Sequence, residues 1–427
     1  MERLRPGAGR GRPTGRGERP PEKAPLPPRQ RRAFSTLGGP VDLGGDAEAA
    51  RALGKLYEVE RSLERALTHG FHSYAGRLHP SIARGGVAAF SAPGDTVVDP
   101  FCGSGTVLVE AMGMGRRAVG VDASPLGVAI ARVRTTLLGE EGRERLVTQA
   151  AAIAEEAGVR ARKRRRPDVP AWARREITRF HAHVLFELLG LRELVMATPE
   201  DPVGWALRLC LSSLLVKFMK AGPTAPRDGE AKRIARGIPS RMLADRAAEL
   251  AHGLAALERR TPPGTPAPEV IEGDARSLPL PVESVALVVS SPPYAGTYDY
   301  AAIHDARFLW LGLQEKKFRK MQLGARARQV GEVAASSWRD QQAQFIAQIA
   351  RILRPGGRAL LVVGDGVVDG RAENAPDGVA EAGAAVGLEP IARASQVRAL
   401  HDRRLAEIFA AHPRREHLLL LEKKSRG

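Results

Sequence analysis

The feature that most constrains the fold is an alternation of short apolar runs and amphipathic segments that begins at Asp95. TVVDPF predicts a strand, VLVEAMGMG a helix that ends at glycine, RRAVGVD a second strand, and SPLGVAIARVRTTLL a second helix. The alternation returns after residue 267 with the strands PEVIEGD, SVALVVS, RALLVVGD and REHLLLLEK. Strands separated by helices form parallel sheets that are covered on both faces. The sequence therefore predicts an α/β fold with a doubly wound, mainly parallel sheet.

The stretches outside this alternation complete the domain organisation. Residues 1–45 are rich in Pro, Gly and Arg, and we expect a disordered basic tail or, alternatively, an arm that touches nucleic acid. Residues 46–92 predict helices followed by the segment HSYAGRLHP. A helical insertion over 141–267 divides the α/β domain into 93–140 and 268–427. The insertion carries RKRRR at 162–166 and predicts a target-recognition region, or helices that merely cover the sheet.

The charge balance favours a polyanionic partner. The formal net charge is +17, and residues 1–32 contribute +7 through nine arginines and one lysine against three glutamates. The remainder is still basic, as is typical of proteins that bind nucleic acid. Cys102 and Cys210 are too few for a disulfide framework or a zinc cluster, so we expect a cytoplasmic protein without a bound metal. The sequence shows neither an apolar run of membrane-spanning length nor a secretory signal, and we expect no membrane partner.

Glycines and acids stand where the predicted strands end. DPFCGSGT joins the first strand to the first helix, and its small residues let the backbone approach a ligand at a helix N-terminus. Asp99, Asp122 and Asp274 end successive strands. They suit an adenosyl cofactor with a methionine group, since Asp99 can accept from the ammonium, Asp122 from the ribose hydroxyls and Asp274 from the adenine amine. The alternatives are a glycine turn of any α/β protein and, for Asp122, a helix N-cap.

These motifs resemble those of a known family. DPFCGSGTVLVEA, AVGVDASPLGVAIAR and SPPY are similar to motifs of the amino-group DNA methyltransferases, and the likeness covers residues 70–140 and 269–425. The resemblance implies a seven-stranded Rossmann-like methyltransferase sheet and S-adenosyl-L-methionine as the cofactor. It also implies a base that is flipped out of a nucleic acid, with DNA favoured over RNA.

The segment HSYAGRLHP at 72–80 resembles the one that packs near the methionine end of the cofactor in this family, with a plain structural turn as the alternative. The implied cofactor-binding residues are Asp99, Pro100, Phe101, Gly103, Ser104, Gly105, Thr106, Asp122, Asp274 and His79.

The turn Ser291-Pro292-Pro293-Tyr294 is the predicted catalytic motif. A base amine is a weak nucleophile because its lone pair is delocalised into the ring. The Ser291 hydroxyl and the Pro292 carbonyl can accept its two N–H bonds and stabilise the positive charge that grows on the nitrogen. Pro293 makes the turn rigid without adding a donor, and Tyr294 offers a flat face to an unstacked base.

The first residue of this turn guides the choice of base. In the family, serine is more typical of cytosine-N4 enzymes, and an acid is more typical of adenine-N6 enzymes and of guanine-N2 enzymes that act on RNA. We therefore favour cytosine N4, with adenine N6, guanine N2 of tRNA or rRNA, a small-molecule methyltransferase and a non-catalytic nucleic-acid binder as alternatives. Attack on cytosine C5 is excluded, because it needs a cysteine nucleophile and the sequence has no Pro-Cys turn.

Three side chains beyond the turn have structural expectations. We expect Tyr298 and Tyr300 to pack against the helix that follows rather than to line a base pocket. We expect His304, within that helix, to lie at the surface or in a groove. The sequence predicts neither the oligomeric state nor a recognition sequence.

Overall fold

An eight-stranded sheet forms the centre of the chain in a computed structural model that describes residues 39–163, 169–220, 234–324, 334–398, 400 and 403–425. The order of its strands is β1-β9-β10-β6-β5-β2-β3-β4, and β7 and β8 form a separate hairpin. The strands are β1 (Val41–Gly45), β2 (Thr96–Asp99), β3 (Arg117–Asp122), β4 (Glu269–Glu272), β5 (Val285–Ser290), β6 (Leu353–Gly364), β7 (Gly366–Val368), β8 (Arg371–Glu373), β9 (Leu388–Val397) and β10 (Arg415–Lys423).

The directions of the strands confirm the predicted α/β sheet. Strands β6, β5, β2, β3 and β4 pair in parallel, whereas β10 is antiparallel to both β6 and β9. The number of strands differs from the expected seven, because β1 pairs antiparallel with the edge strand β9. Val41–Gly45 was assigned to the disordered tail, since it has no clear apolar alternation, and its strand structure arises from this pairing.

Helices cover both faces of the sheet. They are α1 (Ala47–Leu56), α2 (Pro80–Phe90), α3 (Thr106–Met112), α4 (Pro125–Thr135), α5 (Gly139–Arg162), α6 (Ala182–Met196), α7 (Pro202–Phe218), α8 (Ile238–Arg260), α9 (Tyr300–Leu311), α10 (Glu315–Met321), α11 (Ala334–Ile352), α12 (Ala375–Ala384) and α13 (Arg403–Ile408).

Alternate residues of the central strands face opposite layers of helices. Val97 and Leu360 pack with α1, α2 and α3, whereas the next residues, Val98 and Leu361, pack with α11 and α12. All four side chains are fully buried. Strands that are buried on both faces read as continuous apolar runs, which explains why TVV and ALLVVG carry so few polar residues.

The helical insertion rests on helices rather than on strands. Its helices α5 to α8 share one apolar core with α4, α9 and α10, and this core contains no strand residue. The Trp310 indole N–H of α9 donates to Glu176 Oε2 at 3.0 Å, and Arg192 Nε of α6 donates to the Trp310 carbonyl at 2.7 Å. Among the described residues α4 and α9 therefore lie between this core and the sheet, and the target-recognition role of the insertion stays a prediction.

Some predicted features fall outside the described residues. These are 1–38 of the basic tail and 164–166 of the RKRRR run. None of the helices in the described ranges is long and apolar enough to cross a membrane.

Candidate active site

The loop between β2 and α3 is held against the end of β3. The Cys102 amide donates to the Val121 carbonyl at 3.0 Å, and the Gly103 amide donates to Asp122 Oδ2 at 2.8 Å. Gly105 closes the loop as the N-cap of α3 with a φ of 77°, and its amide donates to the Cys102 carbonyl at 2.7 Å. Because β2 and β3 are neighbouring parallel strands, Gly103, Gly105 and Asp122 meet at the carboxyl ends of these strands.

A cavity with an empty volume of about 830 Å³ opens above this edge. It brings together residues from the DPFCGSGT loop, all three acids predicted at strand ends, and the SPPY turn. Ten of the predicted site residues line it: Asp99, Pro100, Phe101, Gly103, Ser104, Thr106, Asp122, Asp274, Ser291 and Pro293. Four do not line it: His79, Gly105, Pro292 and Tyr294.

Asp99 is buried at the end of β2 and faces β5, the strand that ends at the SPPY turn. It accepts a hydrogen bond from the Ser290 hydroxyl at 2.6 Å and another from the Phe101 amide at 3.1 Å. Burial raises the pKa of Asp99 to about 7, and the two hydrogen bonds oppose that shift. A cationic group placed beside it would favour the ionised carboxylate. Ser290, which sequence reasoning missed, is the residue before the SPPY turn, and its hydrogen bond joins the predicted cofactor acid directly to the end of β5.

Asp122 occupies the end of β3 and is not a helix cap. Its carboxylate accepts from the Ser124 amide at 2.7 Å as well as from Gly103. Ser124 is the N-cap of α4, since its hydroxyl accepts from the Gly127 amide at 3.3 Å. Burial raises the pKa of Asp122 to about 6. The geometry thus removes the N-cap alternative and leaves a half-buried carboxylate at the cavity wall.

Asp274 lines the cavity with a partner that the sequence analysis did not assign. Arg276 Nη2 lies 2.6 Å from its Oδ2, and Arg276 Nε lies 3.0 Å from its Oδ1. Burial alone would raise the pKa of Asp274, but the hydrogen bonds from Arg276 lower it below its usual value. A ligand amine would share this carboxylate with Arg276, which stands only two residues away in the sequence.

His79 lies outside the cavity, in contrast to its predicted role at the cofactor. It is the N-cap of α2, where its Nδ1 accepts from the Ser81 amide at 3.1 Å, and its Nε2 lies 3.4 Å from Glu64 Oε1. The segment HSYAGRLHP does face the cavity, but through residues 74–78. His79 is the residue before Pro80 at the start of a helix, and this pattern is typical of a cap.

An aromatic stack that the sequence analysis missed joins this segment to α9. The Tyr74 and His304 rings are 4.7 Å apart and inclined by 25°, and Tyr300 stacks on the Tyr74 ring at 6.3 Å. Both tyrosines line the cavity and also pack against the core of the insertion. The expectation that Tyr300 packs rather than lines a pocket is therefore wrong. His304 is 1% exposed, so its expected surface position is wrong. Gly76 is required beside the stack, because an added Cβ would lie 2.4 Å from Tyr300 Oη.

The SPPY turn separates two cavities. Ser291 faces the larger cavity, Pro292 and Tyr294 line a second one of about 340 Å³, and Pro293 borders both. The second cavity is also lined by Ala295 and by residues of α11, of the end of β6, of the β7-β8 hairpin and of the start of α12: Trp338, Gln342, Phe345, Val363, Gly364, Gly366, Glu373 and Ala375. The turn therefore presents its hydroxyl and its aromatic ring to different spaces.

The two cysteines are both buried. Cys102 lies in the cofactor loop, and burial raises the pKa of its thiol well above the usual range. Cys210 is fully buried in the core of the insertion. Because the reactive form of cysteine is the thiolate, neither residue is suited to nucleophilic attack on a base at neutral pH.

Gly105 packs against α4 instead of lining the cavity. An added Cβ would lie 2.9 Å from Ala131 Cβ, and its φ of 77° is also unfavourable for other residues. The predicted contact with a cofactor is thus corrected to a contact between helices, which brings the start of α3 close to α4.

Gly105→Ala is expected to lower the free energy of unfolding by about 2 kcal/mol more than Gly94→Ala, as measured by urea titration. Gly94 is a matched control, since its φ is 84° and nothing lies within 4 Å of its added Cβ. The difference between the two variants isolates the clash with Ala131 from the cost of the backbone conformation. Equal losses would contradict a tight contact at Gly105.

Sequence comparison matches a family model over a part of the chain that contributes Asp99 and Asp122 to the larger cavity. Residues 73–132 match the family model N6_N4_Mtase, described as a DNA methylase. The type II methyltransferase M.MjaII of Methanocaldococcus jannaschii is 39% identical over 79 residues, which are 18% of this chain and 14% of that protein. The chain therefore aligns with only a small part of this curated relative. Both matches support kinship with the amino-group DNA methyltransferases.

Solved structures align with most of the chain at low TM-scores. Geranyl diphosphate C-methyltransferase from Streptomyces coelicolor A3(2) has a TM-score of 0.32 at 9% identity, over 80% of this chain and 78% of that one. TrmN from Thermus thermophilus has a TM-score of 0.30 at 13% identity, over 81% of this chain and 49% of that one.

Proposed function

We propose that this protein transfers a methyl group from S-adenosyl-L-methionine to an exocyclic amine of a base that is flipped out of DNA, with cytosine N4 as the acceptor. The observation that carries the proposal is that Asp99, Asp122 and Ser291 line one cavity of about 830 Å³. The match of residues 73–132 to N4/N6 DNA methylases supports the same chemistry.

The cavity residues fit an adenosyl cofactor. Asp99 is buried and Asp122 half-buried, and both have raised pKa values, so each can gain from a cationic or hydroxyl donor. The Thr106 hydroxyl is buried at the start of α3 with no hydrogen-bond partner among the described residues. Asp99 would hold the ammonium, Asp122 the ribose hydroxyls, and Ser104 and Thr106 would lie near the carboxylate. When bound, this cofactor supplies an electrophilic methyl group.

The SPPY turn would then activate the acceptor. The Ser291 hydroxyl oxygen and the Pro292 carbonyl accept the two N–H bonds of the amine, which holds its hydrogens out of the ring plane and frees the nitrogen lone pair. The same oxygens stabilise the positive charge that develops on this nitrogen. Pro293 adds no competing donor. The predicted stacking of the base on Tyr294 is set aside, because that ring lines the smaller cavity and Ser291 lines the larger one.

The choice of cytosine N4 rests on Ser291 as the first residue of the turn. Adenine N6 uses the same acceptors and remains the alternative within DNA. Guanine N2 in tRNA or rRNA is the alternative in RNA, and the positive net charge of +17 suits either polymer.

DNA from a methylation-free host that expresses the protein is expected to carry N4-methylcytosine in a short recurring context, as detected by native-read sequencing. The same host expressing Ser291→Ala is the control and should lack most of the modification. Methylated adenine would overturn the choice of base and keep the mechanism. Unmodified DNA from a protein shown to bind S-adenosylmethionine would contradict the DNA proposal, and tRNA would be assayed next.

A further inference from the structure

A buried carboxylate lies behind the catalytic turn. Glu416 of β10 is 2% exposed, and its Oε2 lies 3.4 Å from the Tyr294 hydroxyl. The same hydroxyl lies 3.5 Å from Ser291 Oγ. Tyr294 therefore bridges the hydroxyl that faces the larger cavity and a carboxylate 122 residues further along the chain.

The surroundings of Glu416 fix the direction in which this group can act. Arg398, itself 2% exposed, donates to Glu416 Oε1, and the Tyr57 hydroxyl donates to the Glu416 backbone carbonyl at 2.9 Å. Burial raises the pKa of Glu416, and the Arg398 guanidinium opposes that shift. An arginine partner favours the ionised carboxylate, which only accepts hydrogen bonds. Its second oxygen is thus directed at Tyr294 as an acceptor.

The direction of one hydrogen bond determines the next. If Tyr294 donates its only hydroxyl proton to Glu416, its oxygen can accept the proton of Ser291. Ser291 then has its lone pairs left for the target amine. A serine hydroxyl rotates freely and can otherwise point its proton at the amine, where it would be useless as an acceptor. A serine in this position therefore benefits from a fixed partner for its proton.

We propose that Ser291, Tyr294 and Glu416 form a directed hydrogen-bond chain in which the buried glutamate orients the serine hydroxyl as an acceptor. The inference rests on the proposed function, because it assigns a role to the amine acceptor of that reaction. Glu416 is a positioning residue, since it acts through Tyr294. The Ser291–Tyr294 and Tyr294–Glu416 oxygens are 3.5 and 3.4 Å apart, so both hydrogen bonds must shorten when substrate binds. Hydrogen bonds between catalytic groups are often long without substrate and shorten in the complex.

Tyr294→Phe tests the chain while it keeps the ring. We expect kcat for methyl transfer to the nucleic-acid substrate to fall about tenfold. The Kd for S-adenosylmethionine and the KM for the nucleic acid should stay unchanged. Tyr57→Phe is the matched control, because it also removes a hydroxyl beside Glu416 and leaves the chain intact. A kcat for Tyr294→Phe equal to that of the wild type would overturn the inference.

A double-mutant cycle separates coupling from general damage. The double variant Ser291→Ala/Tyr294→Phe is expected to have the kcat of Ser291→Ala alone, because the tyrosine hydroxyl acts only through the serine. Losses that multiply would show that the two side chains act independently. Glu416→Gln should lower kcat like Tyr294→Phe and add nothing to it. The test does not depend on Glu416→Gln: if this variant fails to fold because the Arg398–Glu416 ion pair is lost, the Ser291 and Tyr294 cycle still shows whether the tyrosine hydroxyl acts through the serine.

Failure of the proposed function gives a different result. A wild-type protein that methylates neither DNA nor RNA would overturn both proposals. Wild-type transfer that is insensitive to Tyr294→Phe would overturn only the hydrogen-bond chain.

Discussion

Ser291→Ala is expected to lower kcat for methyl transfer about 100-fold, since it removes one of two fixed acceptors for the target amine. Ser291 lines the cavity beside the cofactor acids, but its hydroxyl makes no contact with Asp99, which is bonded instead to Ser290. We therefore expect the Kd for S-adenosylmethionine to change by less than about threefold. Single-turnover assays with radiolabelled cofactor, combined with calorimetric titration, measure the two effects separately.

Ser284→Ala is the matched control for this experiment. Ser284 is exposed just before the same strand, where its hydroxyl donates to the Pro281 carbonyl at 2.8 Å, far along β5 from the turn. It should leave both constants unchanged. If Ser291→Ala abolished cofactor binding but left turnover of the bound complex intact, the assigned roles would be reversed.

Asp122→Ala should have the opposite profile and raise the Kd for S-adenosylmethionine by more than about 100-fold. A charged acceptor for two ribose hydroxyls contributes roughly 1.5–3 kcal/mol per hydrogen bond, and the substitution removes both. It also leaves the amides of Gly103 and Ser124 without their acceptor, so the protein should melt at a lower temperature. Titration calorimetry well below that temperature gives the affinity of folded protein.

Asp245→Ala controls for the loss of one negative charge, because Asp245 is exposed on α8. A Kd for Asp122→Ala that matches this control would exclude Asp122 from the cofactor site.

The affinity for the cofactor should also depend on pH in a defined direction. Burial raises the pKa of Asp122 to about 6 and of Asp99 to about 7, so both carboxyls are increasingly neutral as the pH falls through these values. Because hydroxyl and ammonium donors bind the charged form more tightly, wild-type affinity should weaken below about pH 7. Asp122→Ala should keep only the part of this dependence that Asp99 contributes, and an affinity independent of pH would contradict both roles.

Much of the site could be predicted because parallel strands end at one sheet edge. TVVD, RRAVGVD and ALVVS are local apolar patterns, and their order alone places Asp99, Asp122 and Ser291 near one another. The sheet confirms the α/β class, and ten predicted residues line a common cavity. This information is local in sequence and needs no knowledge of distant contacts.

The features that were missed depend on contacts between distant segments. Tyr74 and Tyr300 stack although 226 positions separate them in the numbering, and neither belongs to an apolar period that would reveal the contact. The strand β1 is defined by its pairing with β9, and His79 was assigned to the cavity from the position of its segment rather than from its role as a cap. The Asp274–Arg276 pair was also missed, although its two residues are only two positions apart and the contact is local in the sequence.

The seating of the insertion on α4 and α9 limits how this architecture can change. α4 begins directly after the Asp122 strand tip, and α9 begins a few residues after the SPPY turn, so one apolar core braces both halves of the site. An insertion with this interface cannot be replaced independently of α4 and α9. Exchange of residues 139–260 for an unrelated helical unit would uncover Leu126, Ile130, Phe308 and Trp310 unless α4 and α9 changed with it. We therefore expect relatives that differ in this insertion to differ in the facing residues of α4 and α9 as well.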